Sequence, residues 1–360
     1  MARRRQAVTI KHVAAEAGVS LQTVSRVINN EANVRQPMID RVNAAIALLG
    51  YVPSLAARRM AGSRSYLILA LNDRDRTIAD WRERQGTDWV DQMLLGGMLK
   101  AAEHGYRLII ELVDTHGDHV EREIMAAISA LRPDGVILTP PHSDNPVIAT
   151  LLEQQGIRFA RIGSLESGSG MALSMDDEHA ARMATERLLA LGHRRIGFIG
   201  GSAEYRISAR RKTGWQAAMA NAGIPFADLF AEGDFSPASG ARATKTLLKL
   251  ADRPTAIIAS NDQMAFAALE VAREAGLVVP DDLSLVSFDN TPVVRFTHPP
   301  LTAIDQPIAE LASLAVERII DALAGREIPE MPTLLLAGLV ERGSTAQIAP
   351  ASTAKHFQRA

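Results

Sequence analysis

From residue 66 onward, short runs of β-branched and aliphatic residues alternate with stretches of helical period, and this limits the fold more than any other feature. The runs are Tyr66–Leu71, Arg107–Leu112, Gly135–Thr139, Arg158–Ile162, Arg195–Gly200, Ala256–Ser260 and Leu283–Phe288. Helices are expected between them, for example over Asp177–Leu191, Ala209–Ala222 and Gln263–Ala275. Strands separated by helices need crossover connections, so the expected body is α/β, a parallel sheet covered on both faces. In such sheets ligands bind beyond the carboxyl ends of the strands. Asn261 and Asp289 each follow a run directly, and Arg211 lies near the start of the helix after Arg195–Gly200. Carboxylate and amide oxygens accept hydroxyl protons while arginine donates, so these three suit a polyhydroxyl ligand. The same side chains could instead cap helices and pair with one another.

The first 50 residues have only helical period. Thr9 can cap a helix whose apolar stripe is Ile10, Val13, Ala14 and Ala17, and Gly18 permits the positive φ of a tight turn. Ser20 can cap a second helix, in which Val24, Val27 and Ile28 face inward while Leu21, Gln22, Ser25 and Arg26 occupy the other face. Pro37 suits the first turn of a third helix, which Gly50 ends. Two short helices about a Gly turn, the second turning polar donors outward, meet the requirement of a helix-turn-helix. Gln22 can pair bidentately with adenine, Arg26 can reach guanine or phosphate, and Thr23 and Ser25 are short enough for phosphate oxygens. The alternative is a helical cap with a solvated polar face.

Charge favours the first reading. Residues 1–64 hold ten Lys/Arg against three acids, a balance of +7, whereas the whole chain is at −2, so the remainder carries −9. A basic head on an acidic body calls for a polyanion at the head alone. With no cysteine in the chain, disulfides and thiolate chemistry are excluded. Residues 6–20 carry Thr9, Lys11, His12 and Glu16, which no signal-peptide core would, and the apolar runs are too short to span a bilayer. A cytoplasmic, membrane-free protein is expected. There is no HExxH, no nucleophile elbow and no GKS or GKT after the glycines at 197–201, and the nine His lack ligand spacing. No catalytic residue, metal or cofactor is therefore assigned. A solute-binding protein of similar body would need a signal peptide and no DNA-binding head.

The run from Thr9 to Asn29, TIKHVAAEAGVSLQTVSRVIN, together with LLGYVP at 48–53, resembles the LacI/GalR family of bacterial transcriptional regulators, and the likeness extends in colinear order over nearly the whole chain. Arg35-Gln36-Pro37 departs from it, since the family usually has a Ser or Thr cap there. The resemblance implies an all-α helix-turn-helix head at 1–50, a hinge helix at 51–64 and an effector-binding, dimerising body at 65–345. The body is implied to be two doubly wound lobes of the type I periplasmic-binding-protein kind. The first is placed at about 65–163 and 293–323, the second at about 164–292 and 324–345, with a flexible tail at 346–360. That tail lacks Leu heptads, which argues against a tetramer-forming coiled coil.

The implied contacts with double-stranded, pseudo-palindromic operator DNA are Thr9, Ser20, Leu21, Gln22, Thr23, Ser25, Arg26, Asn29, Tyr51, Ser54, Ala57, Arg58 and Met60. Met60 stands where the family has a Leu wedge for the minor groove. Implied for the effector are Asp73, Arg211, Phe235, Asn261 and Asp289, with Phe235 stacking on a pyranose face. The expectation is a homodimeric repressor whose operator affinity is controlled by a small carbohydrate; a purine-type corepressor is the alternative. The segment 72–88 is longer than the family's loop and is either functional or disordered, with Trp81 placed to cover the ligand.

Overall fold

In the computed structural model, which describes residues 8–28, 31, 33–51, 64–86 and 88–348, the chain divides into two units, residues 1–66 and 67–360. Within the first, α1 (Ile10–Ala17), α2 (Leu21–Ile28) and α3 (Gln36–Leu49) enclose a core of Val13, Ala17, Val24, Val27, Val42 and Ala45. Local chemistry sets their ends. The Thr9 N–H donates to His12 Nδ1 at 3.1 Å, and Ser20 Oγ accepts from Thr23 N at 3.1 Å. Gly18 and Gly50 adopt φ of 62° and 60°, closing α1 and α3 in the left-handed region that only glycine enters without cost. Arg35 precedes α3 without a capping side-chain bond, and Pro37 in the first turn takes over part of that task.

The second unit contains two six-stranded sheets. The strands are β1 (Leu67–Asp73), β2 (Arg107–Val113), β3 (Gly135–Leu138), β4 (Arg158–Ile162), β5 (Met171–Met175), β6 (Ile196–Ile199), β7 (Phe230–Ala231), β8 (Ala256–Ala259), β9 (Ser284–Asp289), β10 (Thr302–Asp305), β11 (Thr333–Leu335) and β12 (Gly338–Val340). One sheet runs β11-β5-β4-β3-β1-β2 and is parallel throughout. The other runs β12-β10-β9-β8-β6-β7, with only the edge strand β12 antiparallel. Central strands β1, β3, β6 and β8 are buried along their whole length, as continuous apolar runs must be when helices cover both faces. The helices that matter below are α4 (Arg74–Glu83), α5 (Asp88–Glu103), α6 (Val120–Leu131), α7 (Pro146–Gln154), α8 (Asp177–Ala190), α9 (Arg206–Asn221), α10 (Pro237–Leu248), α11 (Asp262–Glu274) and α12 (Ile308–Leu323). Helix α5 meets α12 so closely that a Cβ on Gly96 would lie 1.8 Å from the Ala309 carbonyl oxygen.

All seven expected strands occur, but the lobe boundaries move. Residues 171–175, read with the second lobe, pair with β4 in the first sheet, at Ala160↔Met171. Residues 302–305, read with the first lobe, pair with β9 in the second sheet, at Thr302↔Val286. Residues 333–335, also read with the second lobe, join β5 of the first sheet. The chain thus crosses near residues 176, 306 and 336. None of the three is a continuous apolar run like β3, β6 or β8: β5 contains Ser174, β10 begins at Thr302 and ends at Asp305, and β11 is a three-residue edge strand. The tail also differs at its start. Ala346 N donates to Ser284 Oγ at 3.1 Å and Ile348 N to the Leu191 carbonyl at 3.0 Å, so 346–348 are held by the second lobe.

Residues 72–83 of this segment are a strand end and a helix rather than a loop. β1 runs through Asp73, whose carboxylate accepts from Arg76 N at 2.7 Å and caps α4. Arg76 Nε pairs with Asp80 one turn later at 3.1 Å, and Arg84 ends the helix with φ 55°. Among the described residues no helix is long and apolar enough to cross a membrane.

Candidate functional site

On the head, burial of Val24 and Val27 leaves Leu21, Gln22 and Arg26 exposed, with Thr23 and Ser25 at the margin. Gln22 and Arg26 are four apart and so share a face. Arg26 Nε lies 3.5 Å from Glu31 Oε2 with both side chains about half exposed, a pair weak enough to exchange for a stronger anion. Thr9 and Ser20 stand at the amino ends of α1 and α2, where backbone N–H groups face outward as a helix terminus offers them to phosphate. Tyr51 packs into the head core with Val13 and Val42, and burial pushes its phenol pKa up. Its amide donates to the Ile46 carbonyl at 3.1 Å, the Gly50 turn carrying the ring inward. Asn29, Ser54, Ala57, Arg58 and Met60 lie outside the described residues.

In the body, a cleft with about 900 Å³ of atom-free space, its open mouth included, lies beyond the carboxyl ends of the strands. Asp73, Arg211, Phe235, Asn261 and Asp289, the five residues singled out for the effector, all line it. They arrive from the end of β1, helix α9, the turn before α10, the start of α11 and the end of β9. Phe235 and Asp289 have φ of 69° and 96°, strain that the surrounding fold must hold in place. Arg211 and Asp177 are both buried and pair at 2.8 Å. Arg211 also donates to the Ser260 carbonyl at 2.6 Å and to Gln306 Oε1 at 3.0 Å, and its guanidinium lies 4.4 Å from the Phe288 ring centroid. Gln306 in turn donates to Asp289, which accepts from Asp262 N at 3.4 Å. Asn261 caps α11, accepting from Met264 N at 2.9 Å, while its amide donates to the Phe235 carbonyl at 2.9 Å. The polar residues therefore line the cleft and also bind one another.

Asp262 and Asp289 form a crowded acidic pair. Burial, then the neighbouring Asp289 charge, pushes the Asp262 carboxyl up to about 7, and burial also raises Asp289 against the pull of Arg211. The Tyr205 phenol, also on the cleft, is pushed up to about 12 by burial.

Trp81 does not cover the cleft. It is 48% exposed and absent from the lining, because Arg76, Thr77 and Asp80 take the inward face of α4 and residue 81 turns past it. Trp89 at the start of α5 lines the cleft instead. Trp215 is core: it stacks on Phe198 at 5.5 Å and donates to the Ile196 carbonyl at 3.1 Å. Sequence reasoning missed Arg76, Asp80, Tyr205 and Gln306. Gln306 was findable, since it follows a strand end, but its four-residue strand was not. Among the described residues no group of three His, Asp or Glu is placed to hold a metal ion.

Two family descriptions match the chain: bacterial regulatory proteins of the lacI family over residues 9–54, and the periplasmic binding protein-like domain over 185–345. The HTH-type transcriptional regulator CelR of Thermobifida fusca is 31% identical over 326 residues, covering 88% of this chain and 93% of its own. The lactose operon repressor of Escherichia coli is 31% identical over 346 residues, 94% and 91%. The transcriptional repressor CytR of Escherichia coli is 32% identical over 347 residues, 95% and 98%. Among solved structures, the lac repressor dimer bound to operator and the anti-inducer ONPF superposes with a TM-score of 0.75 at 28% identity, covering 95% of this chain and all of that one. A CelR–cellobiose complex gives 0.70 at 27%, covering 94% and 99%.

Proposed function

The chain belongs to the lacI family of bacterial regulatory proteins and is a DNA-binding transcriptional regulator, and from that premise we propose that it is a repressor controlled by a small carbohydrate bound in the cleft of its body. The observation that carries the effector reading is the convergence of Asp73, Arg211, Phe235, Asn261 and Asp289 on one cleft beside Trp89 and Tyr205. Aromatic faces suit the apolar face of a sugar ring, and carboxylates and amides suit its hydroxyls. On the head, Gln22 and Arg26 read base edges from the exposed face of α2, while Thr23 and Ser25 bind the phosphate backbone and fix register. The apolar wedge is assigned to Met60. Two heads on a two-fold axis read a pseudo-palindrome, so the working unit is a homodimer acting in the bacterial cytoplasm. DNA and sugar favour different arrangements of the protein, and each thereby changes the affinity for the other.

Gel shifts with genomic fragments at two salt concentrations, with and without a panel of sugars, glycosides and nucleosides, test this. Sequence-selective binding that weakens steeply with salt and is released by a sugar is the expected result. Binding without selectivity would sink the regulator reading of the head. A nucleoside response with no carbohydrate response would replace the effector class.

A further inference from the structure

The cleft is lined by four carboxylates, Asp73, Asp80, Asp88 and Asp289, and among its described residues by only two cations, Arg76 and Arg211. Both cations are already engaged. Arg211 has its buried partner Asp177 and two further acceptors. Arg76 pairs with Asp80 at 3.1 Å, donates from Nη1 to the Asp234 carbonyl at 2.7 Å and rests 5.9 Å from the Phe235 centroid. It therefore reaches from α4 in the first lobe across the cleft mouth to the turn before α10 in the second. Burial pushes the Asp80 and Asp88 carboxyls up, the mark of a cleft where water is scarce. An anionic ligand would enter a low-dielectric cleft of like charge and find no free cation. An uncharged polyhydroxyl ligand meets only acceptors, donors and ring faces.

We propose that α4 is the selectivity wall of this cleft, with Asp80 holding Arg76 away from the ligand so that the site admits an uncharged effector and rejects its phosphorylated or carboxylated counterpart. The inference rests on the cleft being the effector site. Asp80 acts through Arg76 and is a positioning residue. Its removal releases a guanidinium in the cleft, which converts the site toward anions without a new cation being introduced.

The test uses the full chain and two matched pairs in titration calorimetry: cellobiose with its 6-phosphate, and adenosine with its 5′-monophosphate. In the wild type the uncharged member of the binding pair is expected to bind at least tenfold tighter. In Asp80→Asn that ratio should narrow at least fivefold, and in Arg76→Gln/Asp80→Asn it should return to the wild-type value. Thermal shifts with inorganic phosphate supply an arm that needs no effector. Phosphate should stabilise Asp80→Asn more than either the wild type or the double variant, whose heads are the same. An anion that binds the wild type as tightly as its uncharged counterpart overturns the proposal, as does a phosphate response identical in all three proteins. If adenosine binds and cellobiose does not, the carbohydrate reading fails while the charge selectivity is still decided by the nucleoside pair and by phosphate.

Discussion

The Arg211 guanidinium donates to Asp177, to the Ser260 carbonyl and to Gln306, so the strand-end arginine read as a ligand group is equally a strut of the second lobe. A lysine, with its three donors on one nitrogen, could not span these three acceptors as the forked guanidinium does. Asn261 has the same double role, capping α11 and tethering the Phe235 turn. The pair behind them, Asp262 and Asp289, carries a pH consequence. Since the folded pKa of Asp262 is raised to about 7, the native state holds a proton that the unfolded chain releases near pH 4. Stability from this group is therefore full below pH 4 and is lost as pH rises toward 7. Asp262→Asn cannot lose it, so the melting temperature of the variant relative to the wild type should rise between pH 5 and pH 8. A difference that stays constant across that range would place no titration at this site.

Elements were legible in proportion to how clearly their apolar residues were patterned. The seven strand runs declare themselves as apolar stretches and the head helices because apolar residues recur at three and four positions. Helix α4 does not: its sequence, RDRTIADWRE, has no apolar stripe, and an Asp73 cap and the Arg76–Asp80 pair hold it in place of a buried face. The α5–α12 contact was equally silent, since Gly96 in a helix reads as a weakness until its partner is seen. There the missing Cβ lets the Ala309 backbone approach, and Gly97 faces the Leu108 side chain in the same seam. Gly96→Ala, although favourable for an isolated helix, should destabilise the body by about 1–3 kcal/mol or more through overpacking against backbone that cannot yield. Urea denaturation reads this directly, and a variant as stable as the wild type would refute the close packing.

For the whole molecule, regulation by linkage makes a symmetric demand. If the effector weakens operator binding by some factor, operator must weaken effector binding by that same factor, typically 5- to 150-fold. Titrating the effector with and without operator DNA, and operator with and without effector, measures the coupling from both sides, and a factor of one would show that the cleft and the head are not linked. At this scale the sequence by itself determined the head, the α/β class of the body and the placing of Asn261 and Asp289 directly after strand runs, because local period and turn chemistry are written in neighbouring residues, whereas Asp73 and Phe235 were implied only by the family resemblance. Only the tertiary structure decided that Tyr51 turns into the core, that β5 and β11 belong to the first sheet and β10 to the second, and that Arg76 spans the cleft. Each of those outcomes depends on partners tens to hundreds of residues away. A short strand that is not a continuous apolar run, or a lone arginine, has too few local interactions to settle its place, and the edge or carbonyl it meets supplies the rest.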